Sequence, residues 1–457
     1  MATMGGSGGG GGEALELDID DLTHEGHGVA RHQGQVIFVA NALPGDRVRL
    51  RIIGSRRRHL LGRVEAITTA SPQRRKPPCI LADHCGGCSL QAYRDVAQQT
   101  WKQAHVSQCL LRLGGLVQEL RPLLAAAQPL GYRNRAVIPL ERLEDGRLRA
   151  GYYRRGSHQI VNMNHCPVLD PRLDALIKPL KADLEATGWP VDRHGLGLRH
   201  LALRIGQRTG ELLITLIASS ADLRGLEDLA QAWMERWPSV VGVCLNRQPQ
   251  PGNVLFGAET RVIAGRGWVL ERFADLELRI AADTFFQVNT SQAERLVPLL
   301  SEALGSASGL LLDAYCGIGT FGLPMAARGW SVLGLEQHPG AIALANNNAI
   351  QNGLEQRTRF EVGAVAERLA DLLGATPPVM ALLVDPPRKG LEPAVLDAVR
   401  REPPARMAYL SCDPATLARD LGQLCGPDGP YRIDWIQPID FFPNTSHVEC
   451  LAAMTRR

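Results

Sequence analysis

The chain has 457 residues, enough for about three domains at roughly 150 residues each. Its 50 Lys and Arg nearly balance 47 Asp and Glu, and 45% hydrophobic with 21% charged residues excludes a fibrous or largely disordered chain. No run of about 18 apolar residues occurs and the opening MATMGGSGGGGG lacks the marks of a secretory leader, so a cytoplasmic protein without a membrane partner is expected. In that setting the 10 cysteines read as thiols, metal ligands or nucleophiles rather than disulfides.

Residues 1–12 are Gly-rich and read as a disordered tail. Residues 13–70 give short strands, LELDI, QVIFVA, RVRLRII and LGRVEAI, with turn signals at His27-Gly28 and Pro44-Gly45-Asp46; a small β-barrel is predicted. Over residues 51–76, Arg51, Arg56, Arg57, Arg58, Arg63, Arg74, Arg75 and Lys76 face one acid, Glu65. A local excess of positive charge in a near-neutral chain points to a nucleic-acid backbone, the alternative being a solvated basic face.

Residues 71–280 open with a cysteine cluster and continue as an α+β region. Strands GELLITLIAS, VVGVCLN, WVLERF and LELRIA accompany one helix near 221–236. Over residues 281–457, LLLDAY, SVLGLE, RFEVG, ALLVDP and AYLSC alternate with helix-like segments such as PGAIALANNNAIQNG. This βαβ series predicts an α/β doubly wound sheet with ligands at the carboxyl ends of its strands. Asp313, Glu336, Asp385 and Cys412 all follow strand ends.

Gly317-x-Gly319-x-x-Gly322 follows the first of these strands, and Glu336 ends the second, placed to accept from ribose hydroxyls. The glycines alone fit a dinucleotide or S-adenosylmethionine. Asp313 favours the latter by completing D-x-x-x-G-x-G, and Asp385-Pro386-Pro387 resembles the fourth-strand motif of nucleobase methyltransferases. Cys412 sits between the fifth strand and a helix start, where a helix N-terminus and a neighbouring cation are expected to lower its pKa. Glu449 follows Phe442-Pro443-Asn444-Thr445-Ser446-His447-Val448 and precedes an apolar run.

Together SCDPATLARDL, DPPRKGL, FPNTSHVE and ADTFFQVN resemble the RNA uracil-5-methyltransferase family over almost the whole chain. The resemblance implies a Rossmann-like methyltransferase domain behind a TRAM-like barrel. It implies Cys412 as nucleophile on uracil C6 and Glu449 as the base that takes the C5 proton. It assigns Gln287, Tyr315, Thr320, Glu336 and Asp385 to cofactor or base contact. The chain departs from the family in having Asp413 where Asn usually follows the nucleophile; the added charge is expected to disfavour the thiolate somewhat.

Cys79-x5-Cys85-Gly-Gly-Cys88 with the distant Cys166 could hold zinc or an iron–sulfur cluster, and spacing does not decide. The resemblance does: the pattern is that of the family's 4Fe-4S members. Barrel and cluster together resemble the ribosomal branch, so 23S rRNA is the expected substrate and a monomer the expected form. Three rivals are a tRNA T-loop enzyme, an RNA-binding iron–sulfur protein without catalysis, and a dinucleotide oxidoreductase using Gly317–Gly322 and the cluster, which leaves SCDP and HVE unexplained.

Overall fold

The structure is a computed structural model that describes residues 14–191, 197–220, 222–252 and 254–457. The Gly-rich tail lies outside the described residues. The chain forms two compact units, residues 1–98 with Asn444–Ser446, and residues 99–443 with 447–457.

In the first unit six strands form one sheet. Leu15–Asp18 pairs antiparallel with Arg47–Ser55, and the chain then runs directly into Asp21–Leu22, which pairs with Gly28–His32 at the other end of the order. The core is Ile19, Ala30, Ile37, Val39, Ala42, Val48 and Leu50. Gly28–His32, between Asp21–Leu22 and Gln35–Ala40, is a strand that the sequence patterning did not reveal.

The strand Arg47–Ser55 alternates buried and exposed residues, so Arg47, Arg49 and Arg51 point outward. The basic run is not all available to a ligand, because three of its eight side chains are committed within the unit. Arg51 pairs with Glu65 at 2.9 Å, and Arg75 with Asp95 at 2.8 Å. Arg74 grips the buried Asp46 with two 2.7 Å bonds, while that carboxylate also accepts from the Leu43 and Ser71 amides. Arg56, Arg57, Arg58, Arg63 and Lys76 have no ion pair among the described residues, and Arg49 joins them from outside the counted window.

The second unit holds a six-stranded sheet, a two-stranded hairpin and a seven-stranded sheet. The six-stranded sheet runs in the order Glu259–Gly265, Val240–Arg247, Leu212–Ala218, Leu198–Ile205, Arg135–Arg142, Leu148–Ala150. Helix Pro171–Ala186 packs on it through Leu173, Leu176, Ile177, Leu180 and Leu184, a one-sided helical spacing that starts behind the Asp170 cap.

The seven-stranded sheet runs in the order Thr358–Val362, Ser331–Glu336, Leu310–Ala314, Val379–Val384, Arg406–Ser411, Glu449–Arg456, Tyr431–Ile439. The first five are parallel, and Glu449–Arg456 is antiparallel to both neighbours. These strands read as continuous apolar runs because both faces are covered. Leu311, Leu383, Ala408 and Leu410 enter one core, and Leu312, Leu382, Val384 and Tyr409 enter the other. The strand order reverses beside Leu310–Ala314, which makes the crevice between Asp313 and Asp385 the expected ligand site of such a sheet.

Candidate active site

Strand register brings the two reactive groups together. Arg406–Ser411 and Glu449–Arg456 form an antiparallel ladder that ends at Ser411 opposite Cys450. Cys412 directly follows Ser411 and Glu449 directly precedes Cys450, so both adjoin the last pair of that ladder. They are 37 residues apart in sequence, yet the charge of Glu449 acts on Cys412. Asp385 follows the adjacent strand Val379–Val384, and the Gln287 amide donates to its Oδ2 at 3.2 Å.

Burial and mutual repulsion set the protonation of this cluster. Burial, then the charges of Glu449 and Asp385, push the Cys412 thiol up to about 12, against the opposing pull of Arg388. The expected lowering therefore fails. Its main physical reason is burial, followed by the two neighbouring carboxylates; in addition, Asp413 occupies the first amides of Pro414–Cys425, accepting from Ala415 N–H at 2.8 Å and Thr416 N–H at 3.1 Å. The helix end that was to favour a thiolate is already capped. Asp413 itself is the smallest cause of the Cys412 shift, so the family departure acts in the expected direction but weakly.

Burial and the Asp385 charge push Glu449 well above the usual carboxylate range, again opposed by Arg388. Burial raises Asp385 to about 7, and burial with the charges of Asp385 and Glu336 raises Asp313 to about 8. Asp313 Oδ2 has no hydrogen-bond partner. An added Cβ at Gly322 would lie 2.7 Å from that oxygen, which is why the motif's last glycine is needed there. The acids of the crevice repel one another when ionised, and a positively charged ligand would offset that repulsion.

The remaining expected site residues lie around the same strand ends. Tyr315 adopts φ 69° and donates its amide to Leu335 O at 2.9 Å, so the turn after Asp313 is tied to the neighbouring strand. Thr320 is buried in the glycine turn, and Glu336 closes its strand, accepting from His338 N–H at 2.9 Å.

Sequence reasoning left several supporting residues without a role. Arg388 directly follows DPP and is the cation that acts on both Cys412 and Glu449. Asp420, fully buried, accepts from Leu391 N–H at 2.9 Å and Tyr409 O–H at 2.8 Å, which joins the DPPRKGL and SCDPATLARDL segments. Gly390 passes so close, with φ +74°, that a Cβ there would meet Asp420 Oδ2 at 2.6 Å. Lys102, also buried, binds Asp440 at 2.6 Å and Phe442 O at 3.0 Å, anchoring the start of the FFPNTSHVE segment. Phe285, two residues before Gln287, is 57% exposed.

The cluster cysteines fall in both units: Cys79, Cys85 and Cys88 in the first, Cys166 in the second. No group of three or more metal-ligating side chains is assembled among the described residues. The local chemistry nevertheless suits a thiolate-bound group. Leu81 N–H points at Cys79 Sγ and Gly87 N–H at Cys85 Sγ, each at 3.4 Å, the kind of amide–sulfur contact that stabilises a ligating thiolate.

A family model for tRNA (uracil-5-)-methyltransferase matches residues 268–457, and a TRAM domain model matches residues 11–64. A Parasynechococcus marenigrum protein named only as an RNA methyltransferase is 51% identical over 97% of this chain and 95% of its own length. The chain belongs to the RNA uracil-5-methyltransferase family. A Bacillus cereus RNA methyltransferase is 36% identical over 97% of both proteins. Among solved structures, this methyltransferase is similar to the Pyrococcus abyssi tRNA (uracil-54, C5)-methyltransferase bound to S-adenosyl-L-homocysteine. The TM-score is 0.78 with 28% identity, over 96% of this chain and 99% of that one. The chain is therefore an S-adenosylmethionine-dependent RNA methyltransferase with an N-terminal TRAM domain, and no helix among its described residues is long and apolar enough to cross a membrane.

Proposed function

We propose that this enzyme methylates C5 of a uridine in 23S rRNA through a covalent Cys412–C6 adduct that Glu449 resolves. The observation that supports the mechanism is the antiparallel ladder whose last pair, Ser411 and Cys450, adjoins Cys412 and Glu449, with the charges of Glu449 and Asp385 acting on Cys412. Uracil C5 is a poor nucleophile until a thiolate adds at C6 and shifts the C5–C6 electron pair toward O4 as an enolate. S-adenosylmethionine supplies an electrophilic methyl group to that carbon. Glu449 then removes the C5 proton, the C5–C6 double bond reforms and the C6–S bond breaks. The proton on Glu449 returns to Cys412, so one proton leaves per turnover, the one lost when the thiol first ionised.

The residues divide the work accordingly. Arg388 offsets the acids around Cys412 and Glu449 and favours their ionised forms. Gln287 orients Asp385, and Tyr315, Thr320 and Glu336 line the cofactor end of the crevice. Phe285 offers an exposed ring on which a splayed base stacks. Cys79, Cys85, Cys88 and Cys166 are the ligands that the family resemblance assigns to a 4Fe-4S cluster, with a structural or RNA-docking role. The cellular site of action in this reading is the cytoplasm.

A tRNA substrate is the second reading, favoured by the full-length similarity to the Pyrococcus abyssi tRNA enzyme. Mass mapping of ribosomal and transfer RNA from a deletion strain decides between them. Loss of a 5-methyluridine from 23S rRNA is the expected result. Loss from the tRNA T-loop instead selects the second reading, and no loss from either removes both.

A further inference from the structure

The six-stranded sheet of the second unit buries a charge that the reaction above does not use. Arg204 in Leu198–Ile205 lies directly opposite Arg135 in Arg135–Arg142, so both side chains leave the same face. Arg204 is only 3% exposed; its Nη2 donates to Thr284 O at 2.6 Å, while Nε and Nη1 have no partner. Arg135 makes no ion pair among the described residues, and its guanidinium lies 5.1 Å from the centre of the Phe256 ring. Arg133 adds a third positive charge beside it.

The Asp283 carboxylate acts by its charge on both the half-buried Arg135 and the buried Arg204. It accepts from the Thr260 hydroxyl at 2.8 Å and lies within ion-pair distance of neither guanidinium. The surroundings are firmly built. Asn246, fully buried, accepts from Gly257 N–H at 2.7 Å and donates to Gly257 O at 3.0 Å and to Thr260 Oγ1 at 2.8 Å, which fixes the turn that presents Phe256. A buried guanidinium with two unpaired donor atoms beside a second cation is destabilising until an anion arrives. The patch is joined to the active site through Thr284, three residues from Gln287 and so within about 10 Å along the chain.

We propose that Arg135 and Arg204 form the binding site for one RNA phosphate next to the target uridine, with Arg135 donating to it, Arg204 supplying charge from behind and Phe256 bordering it. This rests on the reading of the enzyme as acting on RNA uridine. The site fixes the strand beside the base that must leave its stack, while the uridine itself is read at Cys412, Glu449 and Asp385. Phosphate contacts position and base contacts specify.

The test uses the full-length protein and a short single-stranded RNA with one uridine, in which each flanking phosphate is replaced in turn by a neutral methylphosphonate. Wild-type enzyme is expected to lose about tenfold in affinity with one of the two replacements, as for a single charge-assisted contact. Arg135→Gln should lose a similar factor with natural RNA, show a salt slope shallower by about 0.7, and lose nothing further with that same replacement. Retained S-adenosylhomocysteine binding shows that the variant is folded. Wild-type indifference to both replacements overturns the site without any variant, as do losses that simply add in Arg135→Gln. Failure of wild type to bind or methylate any uridine-containing RNA overturns the functional reading together with the site. Normal methylation with indifferent phosphates overturns the site alone.

Discussion

Replacing Glu449 by Gln separates the two halves of the proposed reaction. The side chain keeps its size at a position only 5% exposed, so the ladder and its neighbour Cys412 should stay in register. What is lost is the ability to take the C5 proton. General-base catalysis contributes about 10²–10⁴ in rate, and at so buried a position water is a poor substitute, so turnover should fall toward the upper figure. Addition should not be lost. The Glu449 charge is the second cause, after burial, of the raised Cys412 pKa, so the Gln variant should form its adduct at lower pH than wild type. The assay incubates labelled RNA and S-adenosylmethionine across a pH series and follows the covalent complex by denaturing electrophoresis. Methylated RNA should accumulate on the protein in Glu449→Gln, none should appear in Cys412→Ala, and wild type should show a stable complex only with 5-fluorouridine at the target, since fluorine cannot leave as a cation. Near-normal turnover by Glu449→Gln, or a complex with Cys412→Ala, would refute the assignment of roles.

Three further outcomes follow from the described contacts. Lys102→Met leaves the Asp440 carboxylate buried without its cation, and urea unfolding should show a loss of about 3–5 kcal/mol; a loss under about 1 kcal/mol contradicts the buried pair. Asp313 has its pKa raised from 3.8 to about 8, so the folded state holds this proton more tightly. Its contribution is present in acid and lost as pH rises through about 8, so Asp313→Asn should flatten the decline in stability of the ligand-free enzyme between those two values; an unchanged slope counts against it. Substituting Arg56, Arg57 and Arg58 together by Gln should reduce the slope of log affinity against log salt by about 2 for single-stranded RNA, as read by filter binding, with S-adenosylhomocysteine affinity unaltered; an unchanged slope marks a solvated face.

The local signals that the sequence carries are those of short range. Alternation in Arg47–Ser55, unbroken apolar runs in Leu310–Ala314 and Val379–Val384, and the glycine turn after Asp313 each reflect burial or backbone geometry within a few residues. They place the barrel, the parallel sheet and the nucleotide crevice. Motif resemblance adds Cys412 and Glu449 by name. The helix Asp95–Gly114 left no such mark, because its apolar residues meet the sheet only in part and its fully buried Lys102 reads as a surface residue.

Tertiary structure decided what depends on partners far along the chain. A basic residue looks the same in sequence whether it faces solvent or, like Arg74, grips a buried carboxylate 28 residues away. The sign of the Cys412 shift depended on burial by the packed chain and on Glu449 and Asp385 arriving from two other strands. Arg135 and Arg204 face each other only because two antiparallel strands 69 residues apart share a register. Charge and hydrogen bonding are pairwise properties, and a one-dimensional pattern holds only one member of each pair.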